Sequence, residues 1–128
     1  MNRQHFLLWL VVGSIFFWSY ESYYLPLTLV TLRVSMILSF GSKDTQKIWE
    51  GTRVRKPSVE LQEIARRKLR MLNNSQDITD LRIPPSNKLE KLKGSLREYH
   101  SIRINDQWRI IFKWKNGNAS DVEIIDYH

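Results

Sequence analysis

Cysteine is absent from this 128-residue chain, which excludes disulfides, thiolate metal sites and a cysteine nucleophile without fixing the compartment. Histidine is scarce, and His5, His100 and His128 are too few and too scattered to suggest a metal site built on imidazoles. No internal repeat and no low-complexity tract is present. Acidic residues are outnumbered, 13 against 20 lysines and arginines, for a formal charge of +7. A basic balance points to a polyanionic partner, either nucleic acid or an anionic membrane surface, with plain solubility as the alternative. The length and the 42% apolar content suit one small core rather than two.

A hydrophobic run long enough to span a bilayer is also missing. Phe6 to Tyr20 is apolar apart from Gly13, Ser14 and Ser19, but about 15 residues fall short of the roughly 20 that a transmembrane helix needs. Extending the run to Leu32 would bury Glu21 and Pro26 at membrane depth, which is costly without partners. A secretory signal fits Arg3 and the apolar segment behind it, yet Ser19-Tyr20-Glu21-Ser22-Tyr23 offers bulky residues where cleavage wants small ones. All the basic residues except Arg3 and Arg33, and all the acidic ones except Glu21, lie after residue 35. We therefore separate an apolar N-terminal extension, residues 1–35, from a domain over residues 36–128. Met36 reads first as the true initiator, with the extension an upstream start, and second as the residue following a weak membrane anchor.

In the domain, Met36 to Phe40 reads as an opening strand and Asp44 as the cap of a short helix through Ile48 and Trp49 that ends at Gly51. Thr52 to Pro57 is a basic loop. Ser58 is placed to cap a second helix reaching about Leu72, with Leu61, Ile64, Ala65, Leu69 and Leu72 on one face. Glu60, Glu63, Arg66, Arg67 and Arg70 form the other face and read as solvated. Asn73 to Gln76 is a turn, Asp77 caps a further helical turn through Leu81, and Pro84-Pro85 imposes an extended linker. Lys88 to Gly94 fits a short edge strand or a helical turn equally well.

From His100 to His128 the chain alternates like a three-stranded meander. Ile102 and Ile104 share one face of the first strand, and Trp108, Ile110, Phe112 and Trp114 share one face of the second. A two-residue loop between them would set these apolar rows on opposite faces. A three-residue loop, Asn105 to Gln107, makes them agree and pairs Ile102 with Ile110. By the same reasoning Asn116 to Asn118 is the next loop, pairing Phe112 with Val122 and Ile110 with Ile124, although Asn-Gly alone suggests a two-residue turn.

That register sets Arg103 directly across from Arg109. Opposed like charges destabilise a sheet by a few tenths to about 1 kcal/mol unless neutralised. A bound phosphate would do this; so would Asp121 or Glu123, and both side chains have the length to reach outward into water. Tyr127 falls on the same polar face, whereas strict alternation sends Asp126 and His128 to the other, so the last strand must end or twist near Ile125 if all three act together. The α-carboxylate beside the His128 imidazole favours the protonated form and keeps it useful for proton transfer.

At these residues the chain resembles the HigB and GraT toxins of the RelE superfamily, the toxin halves of bacterial type II toxin-antitoxin modules. The resemblance runs from Met36 to His128. It is carried by Met-Ile-Leu-Ser-Phe, Ala-Arg-Arg-Lys-Leu-Arg-Met-Leu, Leu-Arg-Ile-Pro-Pro-Ser-Asn-Lys-Leu-Glu, His-Ser-Ile-Arg-Ile-Asn-Asp-Gln-Trp-Arg-Ile and Val-Glu-Ile-Ile-Asp-Tyr-His, in that order. It implies an α+β, RelE-like fold: a small curved antiparallel sheet with two N-terminal helices packed on one side. It also implies a cytoplasmic, metal-independent endoribonuclease with no cofactor, which enters the ribosomal A site and cuts the mRNA codon there. Carried over by motif, Arg103, Arg109 and Lys93 with the terminal Asp126, Tyr127 and His128 are the catalytic residues; Lys88 and Lys91 are nearby substitutes for Lys93, and Lys88, Lys91 and Arg97 are the expected nucleic-acid contacts. The implied partners are the ribosome, mRNA and a HigA-like helix-turn-helix antitoxin that represses its own operon.

Attack by a ribose 2′-hydroxyl needs a base, an acid for the leaving 5′-oxygen and cations for the charge developing on phosphorus. Arg103 and Arg109 suit the last role, His128 either of the others, Asp126 its orientation, and Tyr127 stacking or donation to phosphate. Two other classes stay open: a non-catalytic RNA-binding module that stacks bases on Trp108, Trp114 and Tyr127, and a membrane-anchored basic protein resting on residues 1–35 alone. Reading Met36 as the initiator predicts that protein made from its native promoter yields no peptide between Leu7 and Arg33 by mass spectrometry; recovery of one would refute it.

Overall fold

The computed structural model describes residues 36–127, so the N-terminal extension lies outside the described residues. Helix α1 spans Lys43–Glu50 and helix α2 spans Val59–Asn74. Strands β1 (Glu90–Lys91), β2 (His100–Arg103), β3 (Trp108–Lys115) and β4 (Asn118–Asp126) form one antiparallel sheet in the order β1-β2-β3-β4. This is the expected α+β arrangement. One sheet face meets both helices in a core that joins Ile102, Ile110, Phe112 and Val122 to Ile48, Ala65, Leu69 and Leu72. No helix among the described residues is long and apolar enough to cross a membrane.

The helices begin where hydroxyls meet orphan amides. Ser58 caps α2 as expected, its hydroxyl accepting from the Leu61 N–H, and Gly51 ends α1 in the left-handed region with φ 91°. The cap of α1 is Ser42 rather than Asp44: its Oγ accepts from the Thr45 N–H at 3.1 Å, and Asp44 instead sits in the first turn, where its charge suits the helix dipole. Arg66 departs from the solvated face, because its Nε donates to the Ile48 carbonyl at 2.8 Å and so caps the end of α1. Gln62, unremarked in the sequence, is buried and clamps the basic loop by donating to the Val54 and Pro57 carbonyls at 2.8 and 2.6 Å.

Between α2 and β1 the chain makes two 3-10 turns. Asp77 caps the first, Ile78–Arg82. Pro84 is extended, but Pro85 opens the second, Pro85–Asn87, in place of the expected linker; a proline fits a first helical position, where its missing N–H costs nothing. Asn87 is fully buried; its amide donates to the Leu81 carbonyl at 3.0 Å and accepts from Lys68 Nζ at 2.5 Å, tying this segment to α2. The ambiguous Lys88 to Gly94 stretch resolves as edge strand β1 followed by a 3-10 turn over Gly94–Leu96.

The β2-β3 register is the expected one, with Ile102 opposite Ile110 and Arg103 opposite Arg109. The loop is shaped by Asn105, whose Oδ1 accepts from the Gln107 and Trp108 N–H groups at 2.9 and 2.7 Å. The β3-β4 turn differs from expectation. Lys115 pairs with Asn118, leaving the two-residue turn Asn116-Gly117, both at positive φ, as the Asn-Gly signal favours. The faces still agree because a bulge near Asp121, itself at φ 51°, absorbs one residue and restores Ile110 opposite Ile124. Ser39 stabilises the bulge by accepting from the Asp121 N–H at 2.8 Å. The bulge also breaks the opening segment, which runs parallel to β4 as two separate bridges, Ile37 to Ala119 and Phe40 to Val122, rather than as a continuous strand.

His100 opens β2 on the core side, stacked on Phe112 with ring centroids 5.9 Å apart, and its buried Nδ1 has no hydrogen-bond partner among the described residues. Burial first, and the charge of Lys91 second, lower its pKa from 6.5. The unfolded chain therefore binds this proton more readily than the folded one, so stability is retained above pH 6.5 and lost as pH falls below it. Urea unfolding is expected to show this loss in the wild type and a flatter pH dependence in His100→Gln; parallel profiles would contradict it.

Candidate active site

The face of the sheet opposite the core collects functional groups from β1, β2 and β3 and from the residue that follows β4. Arg109 on β3 is the junction. Its Nη1 donates to the buried Ser101 Oγ of β2 at 2.6 Å and lies 2.9 Å from Glu90 Oε1 of β1. Its Cζ stands 4.9 Å from the Tyr127 ring centroid, beyond the end of β4. The side chain is only 13% exposed. A guanidinium has five donors in a planar fork, so holding Nη1 fixes the plane while Nε and Nη2 keep donors for a phosphate.

Arg103 faces the same way from the strand position opposite Arg109 and pairs with Asp106 in the adjoining loop. The two arginines are thus balanced by Asp106 and Glu90, not by Asp121 or Glu123; Asp121, turned by the bulge, pairs with Lys113 at 3.1 Å. Both balancing carboxylates are accessible, at 92% and 47% exposure. The pair of Arg103 with the solvent-open Asp106 contributes about 0–1 kcal/mol, which an incoming phosphate can replace.

Beside Arg109 a hollow of about 270 Å³ is lined by Glu90, Lys91, Leu92, Lys93, Leu96 and Tyr127. Lys93 and Tyr127 are therefore brought together with the arginine junction. Lys88, left-handed at φ 46°, and Arg97, at the end of the Gly94–Leu96 turn, are exposed on either side along the chain. A larger hollow of about 350 Å³, between Lys43, Lys56 and Trp108, includes neither arginine. Among the described residues no group of His, Asp and Glu is arranged to hold a metal ion.

The terminal tripeptide is divided. Asp126 lies opposite Trp108 and accepts from Gln107 Nε2 at 2.9 Å, on the other face from Arg109. The strand thus keeps its alternation through Asp126 and does not break near Ile125, while Tyr127 alone of these two reaches the arginine row. His128 lies outside the described residues. Trp108 and Trp114 pack against the core, so the stacking platform of two tryptophans with Tyr127 is not assembled.

Two residues were missed. Glu90 sits in the stretch whose helix or strand character periodicity left open, so its face was unassigned. Lys68, on α2, carried no signal at all. Its pKa is lowered by burial, then by Arg103 and Arg67, which places its ammonium in the electrostatic neighbourhood of Arg103.

Residues 38–128 match the family described as the RelE-like toxin of type II toxin-antitoxin system HigB. Toxin HigB-1 of Vibrio cholerae is 40% identical over 86 residues, covering 66% of this chain and 90% of that protein. Endoribonuclease HigB of Proteus vulgaris is 33% identical over 94 residues, covering 73% of this chain and all of that protein.

Proposed function

The chain belongs to the HigB family of RelE-like toxins of type II toxin-antitoxin systems, and from that premise we propose that it is an endoribonuclease cleaving mRNA in the ribosomal A site. The observation that supports this most is the junction at Arg109, whose guanidinium is fixed by Ser101 and Glu90 under Tyr127 and is opposed across the strands by Arg103. Held donors of this kind stabilise charge on a phosphorane without reorganising during the reaction. A flexible basic surface binds RNA as well but gains nothing extra in the transition state.

In this reading the scissile phosphate sits on Arg109 and Arg103, and Lys93 adds a further cation across the hollow. Tyr127 stacks on the flanking base or donates to the phosphate. His128 is assigned the proton exchange of the ribose hydroxyl or of the leaving oxygen. Lys88, Lys91 and Arg97 track the backbone on either side. The functional unit begins at Met36, works in the cytoplasm where ribosomes are, and is restrained by a HigA-like helix-turn-helix antitoxin.

Ribosome dependence has a physical rationale in this site. The hollow is open and lined by the exposed Lys91 and Lys93, so the protein alone does little to force a ribose hydroxyl into line with its phosphate. A codon held by the ribosome supplies that alignment, and the protein supplies charge and proton transfer.

Induction of the chain is expected to arrest growth and to leave mRNA ends inside codons, with 5′-hydroxyl termini. Arg109→Ala is expected to lower cleavage by about 100-fold or more, read by end mapping after brief induction. Normal growth and intact mRNA in the wild type would contradict the reading.

A further inference from the structure

We propose that a second hollow, between the first 3-10 turn and strand β1, takes the base of an mRNA nucleotide that flanks the cleaved step; this rests on the ribonuclease reading above. The hollow measures about 190 Å³. Its floor is apolar and aromatic, made by Ile78, Leu89 and the imidazole of His100, and its exposed rim carries Thr79, Arg82, Glu90 and Lys91. Glu90 and Lys91 also line the hollow that holds Lys93 and Tyr127. A strand whose phosphate lies on Arg109 therefore reaches the second hollow by crossing β1.

A floor of this kind suits a flat heterocycle better than an anion. Glu90 repels a phosphate, and the imidazole is kept neutral because burial first, and then the charge of Lys91, lower its pKa from 6.5. His100 is stacked on Phe112 and its Nδ1 is buried without a hydrogen-bond partner, which leaves Nε2 as the nitrogen it offers to a ligand. A buried N–H without an acceptor is less favourable than a buried lone pair, so the proton sits on Nε2 and that atom donates. The Thr79 hydroxyl donates to Asp77 Oδ1 at 3.1 Å and keeps lone pairs that accept. A donor and an acceptor around an apolar floor match the edge of a single-stranded base, while Arg82 and Lys91 at the rim meet the phosphates beside it.

The hollow thereby supplies a sequence preference that the arginine row does not. Arg109 and Arg103 meet the backbone and are indifferent to base identity. The second hollow is built between a turn capped by Asp77 and a strand paired to β2, so its polar groups are held in place. A base that satisfies them is favoured over one that leaves them unpaired. Cleavage is then fastest where the base beside the seated codon step fits the hollow.

The test is single-turnover cleavage on programmed ribosomes by the full chain, using mRNAs with an abasic residue at the nucleotide on one side or the other of the cleaved step. The wild type is expected to cut one of the two abasic messages about 10-fold more slowly than the intact one. Thr79→Trp plugs the hollow from an exposed position, and is expected to cut the intact message about 10-fold more slowly and to lose the difference between intact and abasic. His100→Phe keeps the ring on Phe112 and removes the donor, and is expected to shrink that difference; thermal unfolding shows whether each variant is folded. A wild type indifferent to both abasic positions, or an unchanged difference in folded Thr79→Trp, overturns the proposal and leaves the ribonuclease reading standing. So does full-rate cleavage by Thr79→Trp with loss of neutralisation by the antitoxin of its module, which gives the hollow to a protein partner. Intact mRNA with the wild type overturns both.

Discussion

A slip of one residue between β2 and β3 would set Ile102 on the opposite face from Ile110 and Phe112, and everything at the functional face depends on avoiding it. The apolar rows agree only when Ile102 lies opposite Ile110. Burial of those side chains, at about 1.5–3 kcal/mol each, far outweighs the few tenths to about 1 kcal/mol lost by opposing two arginines. The core therefore imposes the Arg103 to Arg109 juxtaposition, and the surface has to accommodate it. Hydrophobic packing on one face thus fixes the electrostatics of the other.

The accommodation is deliberately weak where it meets solvent and firm where it meets the sheet. Ser101, fully buried, holds Arg109 from below, while Glu90 and Asp106 balance the arginines through accessible carboxylates. A site of this design stays neutral enough to fold and still exchanges its internal anions for a phosphate. The bulge at Asp121 serves the same end from a distance, because it lets a tight Asn116-Gly117 turn coexist with a β4 register that delivers Tyr127 to Arg109.

Much of this was legible because it follows from period-two patterning. The arginine pair, the face of Tyr127 and the core role of Trp108 and Trp114 all came from requiring apolar rows to agree. The turn at Asn116 was misjudged for an instructive reason: face agreement was assigned to loop length, whereas the chain meets it with a bulge, which no local signal announces. Glu90 was hidden because β1 is two residues long, too short for a period to show, and Lys68 because its relation to Arg103 is made only by tertiary packing. Arg66 and Gln62 looked like ordinary polar helix residues and proved to bond backbone carbonyls of neighbouring segments. Family resemblance supplied what periodicity did not, namely a role for the terminal tripeptide.

The central claim is that the row anchored on Arg109 is where RNA is held for cleavage. The most direct measurement is a structure of the chain on a ribosome whose A-site codon carries 2′-O-methyl riboses, so that attack is blocked and the substrate stays in place. The account predicts a backbone phosphate within hydrogen-bond reach of the Arg109 guanidinium, with Tyr127 alongside. An mRNA bound to the helix side or to the opposite sheet face, with the Arg109 pair to Glu90 intact and remote from any phosphate, would contradict it.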